Sequence, residues 1–209
     1  MWERGDVQRW SVVVPAKRLA VAKTRLGPTG TRAAHEELVL AMLGDTLDAV
    51  LACPAVASAW VVTDDPRAAA VAAALGARVV PDAPAGLDAA VDHGARASGN
   101  PLVAALHSDL PALRTDELAA ALSAAAAVRR AFVADADGTG TTLLAVTDGV
   151  LDPAFGPGSA AAHAASGAVP LDGGWPGLRR DVDTPAHLAE AARLGTGPRT
   201  RAALRAACA

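Results

Sequence analysis

Aromatic side chains are scarce in this chain of 209 residues, at 3% of the composition, and tyrosine is absent. Proteins that bind single-stranded nucleic acid stack successive bases on aromatic side chains, so membership of that class is disfavoured. The formal net charge of −3 also disfavours binding along a duplex, which needs a basic surface. The composition therefore predicts no nucleic-acid partner, although it leaves room for a local basic site.

Cysteine is rare too. The two cysteines, Cys53 and Cys208, form no CxxC or other metal-ligand spacing, which indicates buried or idle thiols and a reducing compartment. No run of about 18 apolar residues occurs, and the first ten residues lack the basic-then-apolar pattern of a secretory signal. We therefore expect a cytoplasmic protein with no membrane partner.

The common nucleotide-binding and catalytic motifs are also missing. No GxxxxGK[ST] is present, and Gly138-Thr139-Gly140 neither continues to a third glycine nor follows the first predicted strand. A P-loop and a dinucleotide-binding fold are therefore poorly supported. No serine stands in GxSxG, and the five histidines include no HExxH pair, so zinc catalysis also has little support.

Apolar residues are plentiful at 52%, which is enough material for a buried core. Short apolar runs predict strands at 10–14, 59–63, 78–80, 102–106, 132–134 and 142–146, with shorter strands at 169–171 and 178–181. Helices are expected at 31–53, 67–75, 86–96, 115–128 and 184–194, after the glycines of 155–159 and at the C-terminus. Thr31, Thr115 and Thr184 are predicted helix caps.

Alternation of strands and helices predicts an α/β fold with a mixed, mainly parallel sheet flanked by helices. The first strand is apolar throughout, as expected for a central parallel strand that is buried on both faces. No internal repeat or linker interrupts the pattern, so residues 1–209 are expected to form a single domain.

The segment Val12–Leu26 points most directly to function. Its apolar run ends at Pro15, and four cations follow within eleven residues: Lys17, Arg18, Lys23 and Arg25. Neighbouring cations repel each other unless an anion or a carboxylate lies among them. The segment therefore predicts a site for a polyanion at the carboxyl end of the first strand. A solvated basic loop is the alternative.

Carboxylates follow at two later points of the chain. Asp109 comes directly after the fourth predicted strand, and Asp181 and Asp183 form an acidic pair. Ligands of α/β sheets bind at the carboxyl ends of strands, which places Asp109 on the same edge as the basic segment. Oxygen ligands from separate loops suit Mg²⁺, and cations with Mg²⁺ at one edge suit phosphoryl or nucleotidyl transfer.

These acidic residues also allow purely structural interpretations. Asp109 can cap the turn that follows it, and Asp183 or Thr184 can cap the next helix. His107, two residues before Asp109, is expected to be structural and not a base. The glycines of 156–158 can simply form a turn.

Six motifs, in order between residues 12 and 185, resemble the guanylyltransferases of coenzyme F420 biosynthesis, which use 2-phospho-L-lactate or phosphoenolpyruvate. They are VPAKRL followed by AKTRL, GLDAA from Gly86, DLPAL from Asp109, DADGTGTTLL from Asp135, FGPGS from Phe155 and DVDTP from Asp181. The resemblance implies a nucleotidyltransferase fold like that of the nucleotide-diphospho-sugar transferases. It also implies GTP as donor and a small phosphorylated three-carbon acid as acceptor.

The resemblance further implies a role for individual residues. The acceptor would be bound by Thr141, Gly156 and Ser159. Mg²⁺ would be held by Asp109, Asp181 and Asp183. The nucleotide would be bound by Lys17, Arg18, Lys23, Arg25 and Asp88, with Asp109, Lys17 and Lys23 taking direct part in catalysis.

Asp88 is a departure from the family, which usually has asparagine after Gly-Leu. An ionised aspartate accepts hydrogen bonds but cannot donate them. Asp88 is therefore compatible with a contact to a guanine N–H or a ribose hydroxyl, and not with donation to guanine O6.

The implied reaction is attack by the acceptor's phosphate oxygen on the α-phosphorus of GTP, with pyrophosphate leaving. Phosphate is already anionic near pH 7 because its second pKa is about 6, so no general base is required. The backbone of 156–159, as a helix N-terminus, is expected to offer N–H groups to the acceptor. The alanine- and arginine-rich composition suggests an actinobacterial source and favours phosphoenolpyruvate.

Other functions stay open at this point. The acceptor can instead be 2-phospho-L-lactate or 3-phosphoglycerate. A sugar-phosphate or molybdopterin nucleotidyltransferase is disfavoured because Pro15-Ala16-Lys17-Arg18 stands where those enzymes carry a glycine-rich GxGxR-like segment. A regulatory protein that binds nucleotides without turnover is disfavoured by the three acidic positions. The alanine-rich helices are compatible with a homodimer.

Overall fold

A computed structural model of the protein describes residues 9–16, 31–81 and 86–207. The strands are β1 (Trp10–Pro15), β2 (Val56–Val62), β3 (Arg78–Val80), β4 (Val103–Leu106), β5 (Arg130–Ala134), β6 (Thr141–Val146) and β7 (Val169–Pro170). The helices are α1 (Arg32–Leu51), α2 (Pro66–Leu75), α3 (Leu87–Ser98), α4 (Thr115–Ala125), α5 (Ser159–Ala165), α6 (Pro176–Arg179), α7 (Pro185–Leu194) and α8 (Pro198–Ala207).

The strands form one sheet in the order β3-β2-β1-β4-β6-β5-β7. β1 is parallel to both of its neighbours, β2 and β4, and β3 continues the parallel part beyond β2. β6 is antiparallel to β4 and to β5, and the short β7 is parallel to β5. The predicted mixed, mainly parallel α/β sheet flanked by helices is confirmed.

β1 is apolar throughout because both of its faces are buried. Val12 and Val14 belong to an apolar cluster with residues of α1, α2 and α4, and Val13 belongs to a second cluster with residues of α3. The α3 side is packed so closely that a Cβ on Gly94 would lie 2.5 Å from Val13 Cγ1 and 2.7 Å from Val62 Cγ2. A glycine is therefore needed where α3 crosses the strands.

The strand predicted at 178–181 is wrong, because this segment begins in the short helix α6. Pro176 occupies the first turn of α6, where its missing N–H is not needed. The buried carboxylate of Glu117, on α4, accepts hydrogen bonds from the N–H groups of Gly177 (3.3 Å) and Leu178 (3.0 Å). A side chain about 60 residues away in the sequence thus provides the hydrogen-bond acceptor for the first N–H groups of this helix.

Two of the three predicted threonine caps are confirmed. The hydroxyl of Thr31 accepts from Ala34 N, and that of Thr184 accepts from His187 N, each at 3.2 Å. The cap predicted at Thr115 is wrong: Thr115 is already the first residue of α4, and the cap position is Arg114. The Thr115 hydroxyl instead donates to the carbonyl of Ala49 on α1, at 3.4 Å.

Cys53 is a free, buried thiol, as predicted, and burial raises its pKa. Cys208 lies outside the described residues.

In the part of the chain that the structure describes, every helix is too short or too polar to span a bilayer.

Candidate active site

The site lies where the order of the strands changes direction. From β1 the chain adds β2 and β3 on one side, and it then returns to place β4 on the other side of β1. Because β1 and β4 are adjacent and parallel, their carboxyl ends lie at the same edge, where α/β proteins bind ligands.

The four cations predicted after β1, which are Lys17, Arg18, Lys23 and Arg25, lie outside the described residues. What the structure shows is where their segment begins: the N–H of Ala16 donates to the carbonyl of Val62, at 2.9 Å. This bond fixes the chain beside β2 as it leaves β1. The roles assigned to the four cations stay predictions.

The three predicted acidic residues do come together at this edge. Carboxylate oxygens of Asp109, Asp181 and Asp183 all lie within 4.8 Å of one another. Asp109 and Asp181 are buried, and Asp183 is half-buried. Residues more than 70 positions apart in the sequence therefore form one compact acidic cluster.

The backbone of both loops is fixed by contacts next to the acidic cluster. The N–H of Val182 donates to the carbonyl of Asp109 at 3.1 Å, which joins the two loops directly. The side chain of Val182 is fully buried in an apolar cluster with residues of α1 and α7. Val182 thus anchors the two aspartates on either side of it.

Thr46, on α1, supports the turn that carries Asp109. Its buried hydroxyl donates to the carbonyl of Met42 (2.9 Å) and accepts from the N–H of Leu110 (3.0 Å). One buried side chain thereby connects a central helix to the residue after Asp109. Sequence reasoning missed Thr46, because its partner lies 64 residues away and no local pattern indicates the contact.

The structural alternative for Asp183 is settled by the cap of α7. Thr184 is the N-cap residue, and its hydroxyl accepts the His187 N–H. Asp183 precedes the cap, and its carboxylate belongs to the acidic cluster. The cap of α7 is therefore formed by Thr184.

His107 lies against the acidic cluster. Its Nδ1 is 3.8 Å from Asp109 Oδ1 and 3.7 Å from Asp181 Oδ2, and its ring centroid is 5.7 Å from that of Phe155. The histidine thus lies between the carboxylates and the loop that contains Phe155, which we call the acceptor loop (residues 154–158). The expected structural role of His107 stays a prediction.

The acidic cluster has the composition and spacing of a site for a hard divalent cation. Mg²⁺ binds oxygen ligands at about 2.0–2.1 Å, so ligands on opposite sides of one ion are about 4.2 Å apart. The carboxylate oxygens lie within 4.8 Å of one another, which is close to this distance between opposite ligands. The residues therefore fit such an ion after a small inward adjustment.

The predicted acceptor-binding residues lie at the ends of two elements. Thr141 begins β6 and Ser159 begins α5, and both side chains are buried. Gly156 has φ +137°, a conformation that residues with a side chain rarely adopt. The FGPGS motif therefore forms a tight turn that leads directly into α5.

The expectation that the backbone of 156–159 offers its N–H groups to a ligand is wrong for Ser159, and the next N–H, that of Ala160, is also engaged. The N–H of Ser159 donates to the carbonyl of Gly156, and that of Ala160 donates to the carbonyl of Thr139, each at 3.1 Å. These two donors are used to close the turn and to attach it to the Gly138–Gly140 segment. Side-chain hydroxyls are thus the more direct candidates for ligand contacts.

Asp88 contacts the acceptor loop in this structure. It lies in the first turn of α3, and its Oδ1 accepts a hydrogen bond from the N–H of Phe155 at 2.9 Å. An asparagine carbonyl oxygen can accept the same N–H, which explains how aspartate can replace the asparagine usual in the family. The predicted contact of Asp88 with the nucleotide stays a prediction.

His163, on α5, is a residue that sequence reasoning missed. It is fully buried, with Nδ1 2.9 Å from Thr141 Oγ1 and Nε2 2.9 Å from the backbone nitrogen of Ala154. Burial, together with the nearby Arg130 guanidinium, lowers the pKa of His163 to about 4, so the ring is neutral. The available sequence signal was its position four residues after Ser159, which puts both on one face of a helix.

Two arginines fix the segment that leads into Asp181. The guanidinium of Arg179 donates to the carbonyls of Ala134 (3.0 Å) and Leu171 (2.9 Å). The mostly buried Arg180 pairs with Asp137 at 3.3 Å and with Glu190 at 3.0 Å. The acidic cluster is therefore attached both to β5 and to α7.

The fold of this sheet is that of solved nucleotidyltransferases. A nucleotidyl transferase from Methanothermobacter has a similar structure, with a TM-score of 0.62 at 22% identity over 89% of this chain and 97% of its own. The 4-diphosphocytidyl-2C-methyl-D-erythritol synthase of Anaerococcus prevotii gives 0.60 at 13% identity over 89% and 95%. The predicted nucleotidyltransferase fold is confirmed.

Sequence similarity defines the family more narrowly. Residues 10–167 match the family described as guanylyl transferase CofC like, and the chain belongs to this family. Phosphoenolpyruvate guanylyltransferase of Geodermatophilus obscurus is 61% identical over 204 residues, 95% of either chain. The phosphoenolpyruvate guanylyltransferase of Salinispora arenicola is 60% identical over 197 residues, 92% of either chain.

Proposed function

We propose that the protein transfers GMP from GTP to phosphoenolpyruvate, giving enolpyruvyl-diphosphoguanosine and pyrophosphate in coenzyme F420 biosynthesis. Family membership and the high identity to phosphoenolpyruvate guanylyltransferases over nearly the whole chain support this proposal. The single observation that carries it is the acidic cluster of Asp109, Asp181 and Asp183 at the carboxyl ends of the parallel strands. That cluster is where two anionic substrates would need a cation.

Asp109, Asp181 and Asp183 are proposed to hold Mg²⁺. When bound, the ion supplies positive charge that reduces the repulsion between the two substrates and stabilises the departing pyrophosphate. The protein's contribution is to keep the three carboxylates close together, through the Val182–Asp109 backbone bond and the support of Thr46. Fixing these like charges in advance avoids reorganisation during the reaction.

Thr141 and Ser159 are proposed to bind the acceptor through their hydroxyls, and Gly156 allows the backbone to approach it closely. The attacking atom is a phosphate oxygen that is already anionic near neutral pH, so no side chain has to remove a proton. The task of these residues is to orient that oxygen toward the α-phosphorus of GTP, in line with the leaving pyrophosphate.

The donor half of the site is proposed to be the basic segment after β1. Lysines and arginines at 17, 18, 23 and 25 would bind the triphosphate, where an arginine can contact two oxygens at once. Lys17 and Lys23 are proposed to neutralise charge during the transfer, and Asp88 to contact the nucleoside in addition to the acceptor loop. The shared edge of β1 and β4 supports this placement of the donor beside the acidic cluster.

A pyrophosphate-release assay tests this function. The purified protein is mixed with GTP and MgCl₂ and, in turn, with phosphoenolpyruvate, 2-phospho-L-lactate and 3-phosphoglycerate. We expect the highest kcat/KM with phosphoenolpyruvate and loss of release when a chelator is in excess. Preference for another acid would overturn the acceptor assignment, and GTP binding with no release from any acid would indicate a regulatory protein.

A further inference from the structure

The hydrogen bonds around His163 define which ring nitrogen carries the proton. The N–H of Ala154 can only donate, so Nε2 of His163 must accept and carries no proton. A neutral imidazole with an unprotonated Nε2 has its single proton on Nδ1. The proton on Nδ1 points at Thr141 Oγ1, 2.9 Å away.

This tautomer determines the direction of the Thr141 hydroxyl. Because Nδ1–H donates, Thr141 Oγ1 is the acceptor of that bond, and its own proton is left for another partner. Among residues 9–16, 31–81 and 86–207, His163 Nδ1 is the one hydrogen-bond partner of the Thr141 hydroxyl. Thr141 is fully buried, and a buried donor without an acceptor is destabilising because it has lost its hydrogen bond to water.

An anionic ligand would remove that cost. A carboxylate or phosphate oxygen accepts hydrogen bonds only, so it is the complement of a hydroxyl whose lone pair is already engaged. Ser159, one turn before His163 on α5, is buried on the same side of the helix. Two hydroxyls and the acceptor loop therefore converge around one buried histidine.

We propose that His163 is a positioning residue: it donates from Nδ1 to Thr141, so that the Thr141 hydroxyl presents its proton to an anionic oxygen of the phosphorylated acceptor. This inference rests on the proposed function, because it takes Thr141 as an acceptor-binding residue. His163 itself does not contact the substrate. Through Nε2 it also holds Ala154, at the start of the acceptor loop.

A matched pair of substitutions separates the two bonds of His163. In His163→Asn the amide nitrogen takes the place of Nδ1 and can still donate to Thr141, but the bond to Ala154 is lost. In His163→Gln the amide oxygen takes the place of Nε2 and can still accept from Ala154, but the bond to Thr141 is lost. The two variants thus remove opposite halves of the network.

We expect His163→Gln to raise the KM for the acceptor about tenfold, with kcat and the KM for GTP little changed, since one hydrogen bond of about 1.4 kcal/mol is lost. His163→Asn should keep most of the acceptor affinity. Equal increases in both variants, or a normal acceptor KM in His163→Gln, would show that His163 only stabilises the loop and would overturn the proposal. Calorimetric titration with phosphoenolpyruvate and MgCl₂ measures the same difference in acceptor affinity between the two variants, without turnover.

Nuclear magnetic resonance of the wild-type protein provides a test that needs no variant to fold. Long-range ¹⁵N–¹H correlation should show His163 with a protonated Nδ1 and a bare Nε2, both free and with phosphoenolpyruvate bound. A protonated Nε2 would overturn the inference. Failure of the wild type to use phosphoenolpyruvate would refute the proposed function. Normal turnover by the wild type, with no difference in acceptor KM between the two variants, would refute only the role of His163.

Discussion

At the scale of the residue, Asp88 and Thr141 each have a defined hydrogen-bond partner that leaves one atom for a ligand. Asp88 illustrates this, because one carboxylate oxygen accepts the N–H of Phe155 and holds the acceptor loop on α3. Only an acceptor is needed for that bond, so aspartate and asparagine are equivalent there. The role of Asp88 in the loop is therefore distinct from any contact with the nucleotide.

The role of Asp88 can be tested with two substitutions. Asp88→Asn keeps an oxygen for the Phe155 N–H, so we expect an acceptor KM within about threefold of the wild type. Asp88→Leu removes the oxygen and should raise the acceptor KM about fivefold, from the loss of one hydrogen bond worth about 1 kcal/mol. Steady-state kinetics with each substrate varied in turn would check this. A KM increase confined to GTP would contradict the loop role.

At the scale of the element, α6 shows how a short helix positions the acidic cluster. Its first N–H groups are held by the buried Glu117, and its last residue is followed directly by Arg180 and Asp181. Gly177 is required at this contact, since a Cβ there would lie 2.2 Å from the carbonyl oxygen of Ala112. The helix is thus clamped between α4 and the turn after β4.

Substitution of Glu117 should affect both stability and metal binding. We expect Glu117→Ala to lower the free energy of unfolding by about 1–3 kcal/mol, because two buried N–H groups lose their acceptor. It should also raise the Mg²⁺ concentration for half-maximal turnover, because Asp181 is displaced. Urea denaturation and Mg²⁺ titration would measure the two effects, with the exposed Glu37→Ala as a control. An unchanged Mg²⁺ requirement in folded Glu117→Ala would contradict the positioning role of α6.

Sequence reasoning predicted elements well where the cause is local. The apolar run of β1 and the threonine caps of α1 and α7 depend on neighbouring residues. It failed for α6 and for the cap of α4, because the deciding contacts involve Glu117 and Ala49, which are distant in sequence. Helix and strand patterns carry no information about such partners.

The candidate site was predictable to a similar extent. The rule for parallel sheets placed Asp109 at the ligand-binding edge, and the acidic pair of Asp181 and Asp183 was visible in the sequence. Family resemblance grouped the three as metal ligands, and the structure brings them together. Thr46 and His163 were not predicted, because their importance comes from contacts across 64 and 22 residues of sequence. Support of a site by buried side chains is a property of the fold that spacing alone does not show.

At the scale of the whole molecule, burial of a neutral histidine makes stability depend on pH. The pKa of His163 is lowered to about 4 in the folded protein, against 6.5 for an ordinary histidine, mainly because its buried ring cannot be solvated when charged. Between these values the unfolded chain binds a proton that the folded protein does not. The stabilisation that comes from keeping His163 neutral is therefore complete above pH 6.5, and it is lost progressively as the pH falls toward 4.

We expect the free energy of unfolding to fall by up to about 3 kcal/mol between pH 6.5 and 4 from this residue alone. The measurement is urea denaturation of the wild type and of His163→Gln across that range. Because glutamine does not titrate, the wild type should lose stability relative to the variant as the pH falls. A difference between the two proteins that stays constant with pH would contradict the burial of a neutral His163.

The most direct test of the central claim is the rate of pyrophosphate release from GTP and phosphoenolpyruvate with Mg²⁺, compared among the wild type, Asp109→Asn and Asp116→Asn. Asp109 is buried in the acidic cluster, whereas Asp116 is exposed at the start of α4 and serves as the control. We predict that Asp109→Asn keeps its fold, as measured by circular dichroism, and that its kcat falls at least about 100-fold. This loss is equivalent to about 2.7 kcal/mol or more of transition-state stabilisation. The kcat of Asp116→Asn should stay within twofold of the wild type. Near-normal turnover by Asp109→Asn would contradict the assignment of the acidic cluster as the centre of guanylyl transfer.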